Sequence, residues 1–387
     1  MTHASHTSSA RHRPMVARHS GEQHRTSSAL ELFFDLCFVV AIAQAASALE
    51  HEIVAGHATR GLLGYALVFF AIWWAWMNFT WFASAFDTDD VPYRLLTLIQ
   101  ITGALIMAAG ITTAMHEDFT IVTGGYVVMR LAMVSQWLRA AHSDKEHRPA
   151  ALRYASGILV LQVGWLVRLA LPHEGGILSF VVLGLGELAV PFWAERAVGT
   201  TWHPHHIAER YGLFTLIVLG ESITAAALAV RTALDSDTAV APVLIISLGG
   251  LLTVFALWWL YFAQDAPRRL AAQTTAMLWG YGHYVVFGAA AAVGVGIAVN
   301  VAHLTDHGAL TDVQASATYT VPVAVFISCV WLLHRRATRL PAAVNVLAPL
   351  AVLAVLATTF TACAVLGTGI VASLLIGAHS LRTGGRQ

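Results

Sequence analysis

Charged residues are scarce in this chain. Of its 387 residues only 11% are Asp, Glu, Lys or Arg, and 57% are hydrophobic. Soluble globular domains carry roughly 25% charged residues, so this balance excludes an ordinary soluble domain. Lys plus Arg equals Asp plus Glu, 22 of each, and the chain therefore lacks the basic excess that favours nucleic acid as a partner. The composition predicts an all-α, polytopic integral membrane protein whose main partner is the lipid bilayer.

Cysteine and the familiar catalytic motifs are equally sparse. Cys37, Cys329 and Cys363 are isolated within apolar runs and form no Cys-x-x-Cys pair. Each of them is expected to serve as a small hydrophobic residue. The chain contains no Walker A motif, no Gly-x-Ser-x-Gly and no His-Glu-x-x-His. The sequence thus predicts neither a cofactor nor a metal site, and it makes an enzyme the less favoured class without deciding the question.

Long apolar runs, by contrast, fill the chain from residue 29 to 380, which we interpret as the transmembrane domain. A spanning helix needs about 20 apolar residues. Runs near this length occupy residues 30–49, 62–86, 95–115, 119–141, 151–171, 177–197, 207–230, 240–264, 274–302 and 318–334. A last run, 342–378, is too long for one helix, and we divide it at Thr358 to Thr361. The sequence predicts about twelve transmembrane helices.

The two ends of the chain read as polar tails. Residues 1–28 are rich in Ser, His and Arg without an apolar period, which predicts a disordered tail, and residues 381–387 form a second one. With the N-terminus inside, eighteen of the 22 Lys and Arg residues fall in cytoplasmic segments and three fall outside. Basic residues concentrate on the cytoplasmic side of membrane proteins. Both termini are therefore predicted to be cytoplasmic.

An internal repeat is suggested by a shift of 178 positions. This shift aligns, without a gap, Glu31 with Glu209, Trp81 with Trp259, and Asp87 with Asp265. Each half would contain six spans and begin on the cytoplasmic side, as in parallel repeats related by an axis along the membrane normal. The sequence predicts two such halves, at about 29–200 and 205–380.

Four stretches, in this order, resemble one known family. They run from Glu31 to Gln44, from Trp73 through Asp87 to Arg94, from Gly186 to Trp193, and from Glu209 to Ser222. Together they are similar to the bacterial low temperature requirement protein A family, over roughly residues 28–380. The resemblance implies a multispanning protein of the bacterial cytoplasmic membrane. It implies no established reaction or ligand.

Four ionisable side chains are expected to lie within membrane depth. Arg130, Glu187 and Glu221 lie near mid-membrane by their positions along their spans, and Asp35 lies nearer the cytoplasmic face. A charge at the bilayer centre costs roughly 2.5 to 3.5 kcal/mol on insertion scales, so such residues usually have partners. We predict that Arg130 contacts Glu221, Glu187 or both. Ser222, beside Glu221, completes the candidate substrate or ion pathway.

Three functions fit this polar centre. In the first, one carboxylate relays a proton or cation in a secondary transporter or permease for an unknown small solute. In the second, the ion pair is structural, fixes helix packing and belongs to a non-catalytic membrane-adaptation protein. In the third, the centre binds a lipid or cofactor in a membrane-embedded enzyme. The sequence favours the first and leaves the others open.

The remaining polar candidates mark loops and helix ends. Asp90 followed by Pro92 is typical of an N-cap with a first-turn proline, and Asp265 with Pro267 repeats this device. These residues are therefore expected to be structural.

Two further carboxylates have more than one expected role. Glu31 reads as an N-terminal charge favoured by the helix dipole. It stands four residues before Asp35, where like charges repel unless a cation or an arginine intervenes. Asp87 is expected to pair with Arg94 and so fix its loop. Glu209 is the predicted counterpart of Glu31.

Overall fold

The computed structural model describes residues 12–19, 22, 25–172, 176–235, 240–263, 270, 273–305, 309–337 and 342–383. Within these ranges the regular elements are helices, without a strand, and the all-α prediction is confirmed. The helices are α1 (Ala29–Val54), α2 (Ala58–Phe86), α3 (Val91–Ala109), α4 (Ile111–Ala114), α5 (Thr120–Ser143), α6 (Arg148–Leu169), α7 (Gly176–Glu195), α8 (Pro204–Asp235), α9 (Val240–Phe262), α10 (Gln273–Thr305), α11 (Asp312–Ala337), α12 (Ala342–Thr358) and α13 (Ala364–Thr383).

Most of these helices are long and apolar enough to cross a membrane. Among the described residues ten helices meet this condition, and the apolar parts of α12 and α13 are shorter. The last apolar run breaks between Thr358 and Ala364, at the predicted threonine-rich division. The four-residue α4 is a turn after α3 rather than a span. These helices make the chain a polytopic helical membrane protein, and their apolar surfaces imply a surrounding lipid bilayer.

Local sequence signals set the start of two helices. At α1 the Ser28 Oγ accepts from the Glu31 N–H at 3.2 Å, and Glu31 Oε2 accepts from the Ser28 N–H at 2.7 Å. This reciprocal pair is a capping box. At α3 the Asp90 carboxylate accepts from the Tyr93 N–H at 2.9 Å, with Pro92 in the first turn, as predicted. Both helices therefore begin where their backbone N–H groups find side-chain acceptors.

The chain divides into two compact units. The first consists of residues 1–41 and 71–207, and the second of residues 42–70 and 208–387. Helices α1 and α2 therefore contribute to both units, because each is divided by a unit boundary. The internal repeat and its two halves stay a prediction.

Glycine permits close helix packing in the first unit, where α3 packs along α5. A Cβ atom built on Gly125 would lie 2.5 Å from the Gly103 carbonyl oxygen and 2.5 Å from the Met107 nitrogen. The neighbouring Gly124 has open space at the same position. Small residues let backbones approach in this way within membranes. In the same unit α5 packs on α6, and α6 on α7.

The second unit is built on two close helix pairs, α10 with α11 and α9 with α13. A Cβ atom on Gly249 of α9 would meet the Leu366 backbone of α13 at 2.6 Å. Backbone contact at this distance excludes any larger residue from that position. The pair α12 and α13 continues the unit beyond the break in the last apolar run.

Part of the predicted N-terminal tail lies among the described residues. Residues 12–19, here named the N-terminal strap, bond to loop carboxylates of the first unit. The Arg13 N–H donates to Asp90 Oδ2 at 2.9 Å, and the Ala17 N–H donates to Asp144 Oδ2 at 2.9 Å. These bonds satisfy backbone groups that the strap, lacking helix or strand, cannot satisfy internally.

Some predicted features fall elsewhere. The tail residues 1–11 and 384–387, and the candidate Asp265 with Pro267, lie outside the described residues.

Candidate functional site

A buried ion pair joins α5 to α7 in the first unit. Arg130 Nη2 lies 2.7 Å from Glu187 Oε2, and the two side chains are 2% and 0% exposed. The predicted contact of Arg130 with a carboxylate is thus present, and its partner is Glu187. Pairing neutralises two charges that would each be costly in a low-dielectric interior.

The Glu187 carboxylate has further donors around it. Trp74 Nε1 of α2 donates to Oε2 at 3.0 Å. Gln162 Nε2 and Trp165 Nε1, both of α6, donate to Oε1 at 3.3 Å each. With Arg130, four side chains from three helices converge on one carboxylate of α7. A buried carboxylate with this many hydrogen bonds ties together the helices that supply the donors.

Asp35 is also held by a neighbouring helix. Its carboxylate is fully buried and accepts from Trp76 Nε1 of α2 at 2.6 Å. Arg130 and Glu187 also belong to the first unit, so three of the four intramembrane candidates lie in it. Each of the three has a side-chain partner there.

A charged cluster lies where the first unit meets its N-terminal segment. Arg25 Nη2 lies 3.7 Å from Glu31 Oε1 and 3.7 Å from Asp87 Oδ2, and Arg25 also donates to the Ser84 carbonyl. His206 Nε2 lies 3.0 Å from Glu31 Oε1. Arg25 therefore lies between the carboxylates of Glu31 and Asp87.

Burial sets the acidity of this cluster. Desolvation first, and then the charge of Glu31, raise the pKa of Asp87 from its ordinary 3.8 to about 6, although Arg25 and Arg18 oppose the change. Asp87 lies in the loop after α2 and outside the spans. Burial therefore moves the titration of this loop carboxylate toward neutral pH.

The predicted pairing of Asp87 with Arg94 is replaced by another. Arg94 Nε and Nη2 donate to the two carboxylate oxygens of Asp89, at 2.8 and 2.9 Å. Asp89 has a φ of 47°, and its side chain is about half exposed, as is that of Arg94. The backbone turn presents Asp89 to Arg94 at the surface, whereas Asp87 is buried against Arg25.

Glu221 lies in a different setting, on a cavity within the second unit. The cavity has a volume of about 370 Å³ and is lined by α1, α8 and α10. Its polar lining residues are Gln44, Ser47 and Glu50 of α1, and Glu221 and Thr224 of α8. Two carboxylates thus face one cavity from two helices.

Helical spacing explains this lining. Gln44, Ser47 and Glu50 follow one another at intervals of three, as do Glu221 and Thr224, so each set shares a helix face. Sequence reasoning did not identify Glu50, because a carboxylate near the end of an apolar helix is typical of the membrane interface. Its spacing from Gln44 was the available signal.

The rest of the lining is small and apolar. Helix α10 contributes Val295, Ala298 and Val301, and α8 adds Ala225 and Leu228. Pockets that bind small molecules usually combine such walls with a few polar groups. The lining has this composition.

Ser222 does not belong to the described lining. It is buried, and its Oγ donates to the Ala290 carbonyl of α10 at 2.9 Å. A Cβ atom on Gly294 of α10 would lie 2.8 Å from the Ser222 Cα, so the two helices touch here. Ser222 therefore fastens α8 to α10 beside the cavity. The neighbouring Gly220 has open space where a Cβ would stand.

The other candidates have more modest positions. Glu209 is half-buried near the start of α8. In the part of the chain that the structure describes, no group of three or more His, Cys, Asp or Glu residues is arranged to hold a metal ion.

Comparison with known proteins places the chain in a family. A family model described as bacterial low temperature requirement A protein matches residues 26–379. The chain belongs to this family. The four sequence stretches predicted membership of the low temperature requirement A family, and that prediction is confirmed.

One relative of this family member comes from Rhizobium meliloti (strain 1021) and is named only as an uncharacterised protein. The two chains are 30% identical over 295 residues, which covers 70% of this chain and 69% of the relative. No solved structure matches the chain significantly. Family membership thus supports a multispanning bacterial membrane protein and carries no reaction with it.

Proposed function

We propose that this low temperature requirement A protein is a secondary transporter or permease-like protein of the bacterial cytoplasmic membrane, with Glu221 as its relay carboxylate for a proton or cation. The observation that carries the proposal is the cavity of about 370 Å³ beside Glu221. Ligand pockets in proteins commonly measure about 300 to 1,000 Å³. An ionisable group that lines a cavity within a membrane span is a candidate for an ion or substrate pathway.

The partners of the carboxylates distinguish Glu221 from Glu187. Glu187 already holds Arg130 and three further donors. By contrast, no hydrogen bond or ion pair reaches the Glu221 carboxylate from the described residues, and the side chain is half-buried. A carboxylate without a fixed partner is the one that can bind and release a proton or cation at little structural cost.

The cavity also has a consistent place along its three helices. Its lining falls at residues 43–50 of α1, 221–228 of α8 and 295–302 of α10, in the C-terminal half of each helix. In the orientation that the basic residues predict, these three helices start at the cytoplasmic face. We infer that the cavity occupies the extracytoplasmic half of the membrane.

Solute uptake into proteoliposomes tests the proposal. Vesicles that contain the full chain are incubated with a mixture of small metabolites under an imposed pH gradient, and their contents are quantified by mass spectrometry. We expect at least one solute to accumulate with the gradient in the wild-type protein and to stop doing so in Glu221→Gln. Glu146→Gln changes an exposed carboxylate and serves as the matched control.

Two outcomes would oppose this function. One is that no solute accumulates beyond protein-free vesicles. The other is that Glu221→Gln transports as well as the wild type. Either would favour the non-catalytic membrane-adaptation role. The supporting observation for that role is the Arg130–Glu187 pair, which joins α5 to α7 and is tied to two further helices, α2 and α6.

A further inference from the structure

We propose that the ligand of the cavity is an organic cation with an apolar body, and that Glu50 is its recognition residue. The inference rests on the proposed function, in which this cavity is the solute site. It adds the chemical class of the solute and a second carboxylate with a separate task. Glu50 and Glu221 come from different helices and line the same cavity.

The charge of the lining selects a cation. Glu50 and Glu221 are acidic, Gln44, Ser47 and Thr224 are neutral, and the described lining residues include no Lys or Arg. A carboxylate on the wall of a cavity within a membrane span is incompletely hydrated, and a positive charge placed beside it stabilises its ionised form. An anionic solute would add a third negative charge, and a neutral one would leave both carboxylates without a counter-charge.

The walls select an organic body rather than a metal ion. Hard cations such as Ca²⁺ need about six to eight oxygen ligands. Among the described residues no group of three or more His, Cys, Asp or Glu side chains is arranged to hold a metal ion, and methyl groups of Val295, Ala298 and Val301 cover one side of the cavity. A volume of about 370 Å³ is also far larger than one ion requires. An ammonium group attached to an apolar body matches both parts of the surface.

The two carboxylates stand at different points of the cavity. Glu50 is the lining residue of α1 nearest to its end at Val54, whereas Glu221 is the first lining residue of α8. The His51 side chain acts electrostatically on Glu50, and among the described residues no hydrogen bond or ion pair reaches either carboxylate. Glu50 is therefore placed to bind the cationic group of an entering solute, which leaves Glu221 for the relay.

Three probes with the same phenylethyl body and different charge test this assignment. Binding of 2-phenylethylamine, 2-phenylethanol and 3-phenylpropionate to the full-length protein in nanodiscs is measured by isothermal titration calorimetry. We expect the amine to bind at least tenfold more tightly than the alcohol or the acid. Glu50→Gln is expected to weaken amine binding at least tenfold, Glu50→Asp to retain most of it, and Glu146→Gln to leave it unchanged.

A cavity-filling variant guards against loss of folding. Ala298→Leu keeps every charge and reduces the space, so it should also weaken the amine, while a melting curve confirms that each variant is folded. Equal binding of the alcohol and the amine, or undiminished amine binding in folded Glu50→Gln, would overturn the inference.

Failure of this inference is distinguishable from failure of the transport function. Amine binding without any gradient-driven uptake would refute transport and retain the cation site. Glu221-dependent uptake of an anionic or neutral solute, without amine binding, would retain transport and refute the cation site.

Discussion

Arg130 and Glu187 form a fully buried ion pair, with Nη2 and Oε2 2.7 Å apart, inside the first unit. The pair removes both residues from the set of charges free to bind a solute. Glu221, on the second unit, has no such partner among the described residues and lines a cavity instead. The polar groups that the sequence placed together at mid-membrane thus separate into a structural pair and a candidate site.

Breaking the ion pair should reveal its structural role. Arg130→Met leaves the Glu187 charge buried without its cation, and removing one partner of a buried pair costs about 3 to 5 kcal/mol. We expect a loss of this size in the free energy of unfolding, measured by denaturant titration in detergent. Adding Glu187→Gln to Arg130→Met should recover part of the loss, because the amide carries no charge. Additive losses in the double variant would contradict the pairing.

Adjacent glycines in α5 offer a matched test of helix packing. Gly124→Ala meets open space, so it should be neutral or stabilise the helix by about 0.5 to 1 kcal/mol. Gly125→Ala forces a Cβ against the Gly103 carbonyl oxygen at 2.5 Å. Overpacking of this kind costs about 1 to 3 kcal/mol. Relative to the wild type, Gly125→Ala should lower the melting temperature and Gly124→Ala should not. Equal melting temperatures for the two variants would refute the close contact between α3 and α5.

The buried loop carboxylate predicts a pH dependence. The pKa of Asp87 is raised from 3.8 to about 6, so its contribution to stability is fully present below pH 3.8 and is lost as the pH rises through 6. A shift of this size corresponds to about 3 kcal/mol. Asp87→Asn resembles the protonated acid and should be more stable than the wild type at pH 8.

A comparison of Asp87→Asn with the wild type at a second, lower pH supplies the control. The stability advantage of Asp87→Asn over the wild type should fall by about half at pH 5, because Asp87 of the folded wild-type protein is mostly protonated at that pH. Melting curves at pH 5 and pH 8 measure the difference. An advantage that is equal at both pH values would show that Asp87 does not titrate in this range.

Local patterns made much of the fold predictable. Apolar runs near 20 residues mark spans because a helix in lipid must satisfy its backbone hydrogen bonds internally. The Asp90 cap and the break after Thr358 were predictable for a similar reason, since each depends on a few neighbouring residues. Boundaries set by distant contacts were not predictable in this way.

The N-terminal strap illustrates such distant contacts. Its bonds from Arg13 to Asp90 and from Ala17 to Asp144 span 77 and 127 positions of the chain. A segment with no apolar period resembles a free tail in sequence, because its order depends on acceptors supplied by loops far along the chain. Only the packed first unit brings those acceptors to it.

The sequence by itself determined that the chain is a helical membrane protein and that Arg130 needs a carboxylate partner, because hydropathy and the cost of a buried charge are local properties. It fixed the position of Glu221 along a span but not the direction of its side chain. The tertiary structure decided that Glu187 takes Arg130 and that Glu221 and Glu50 face one cavity. Partner choice depends on which helix faces meet, and residues far apart in the chain set that contact.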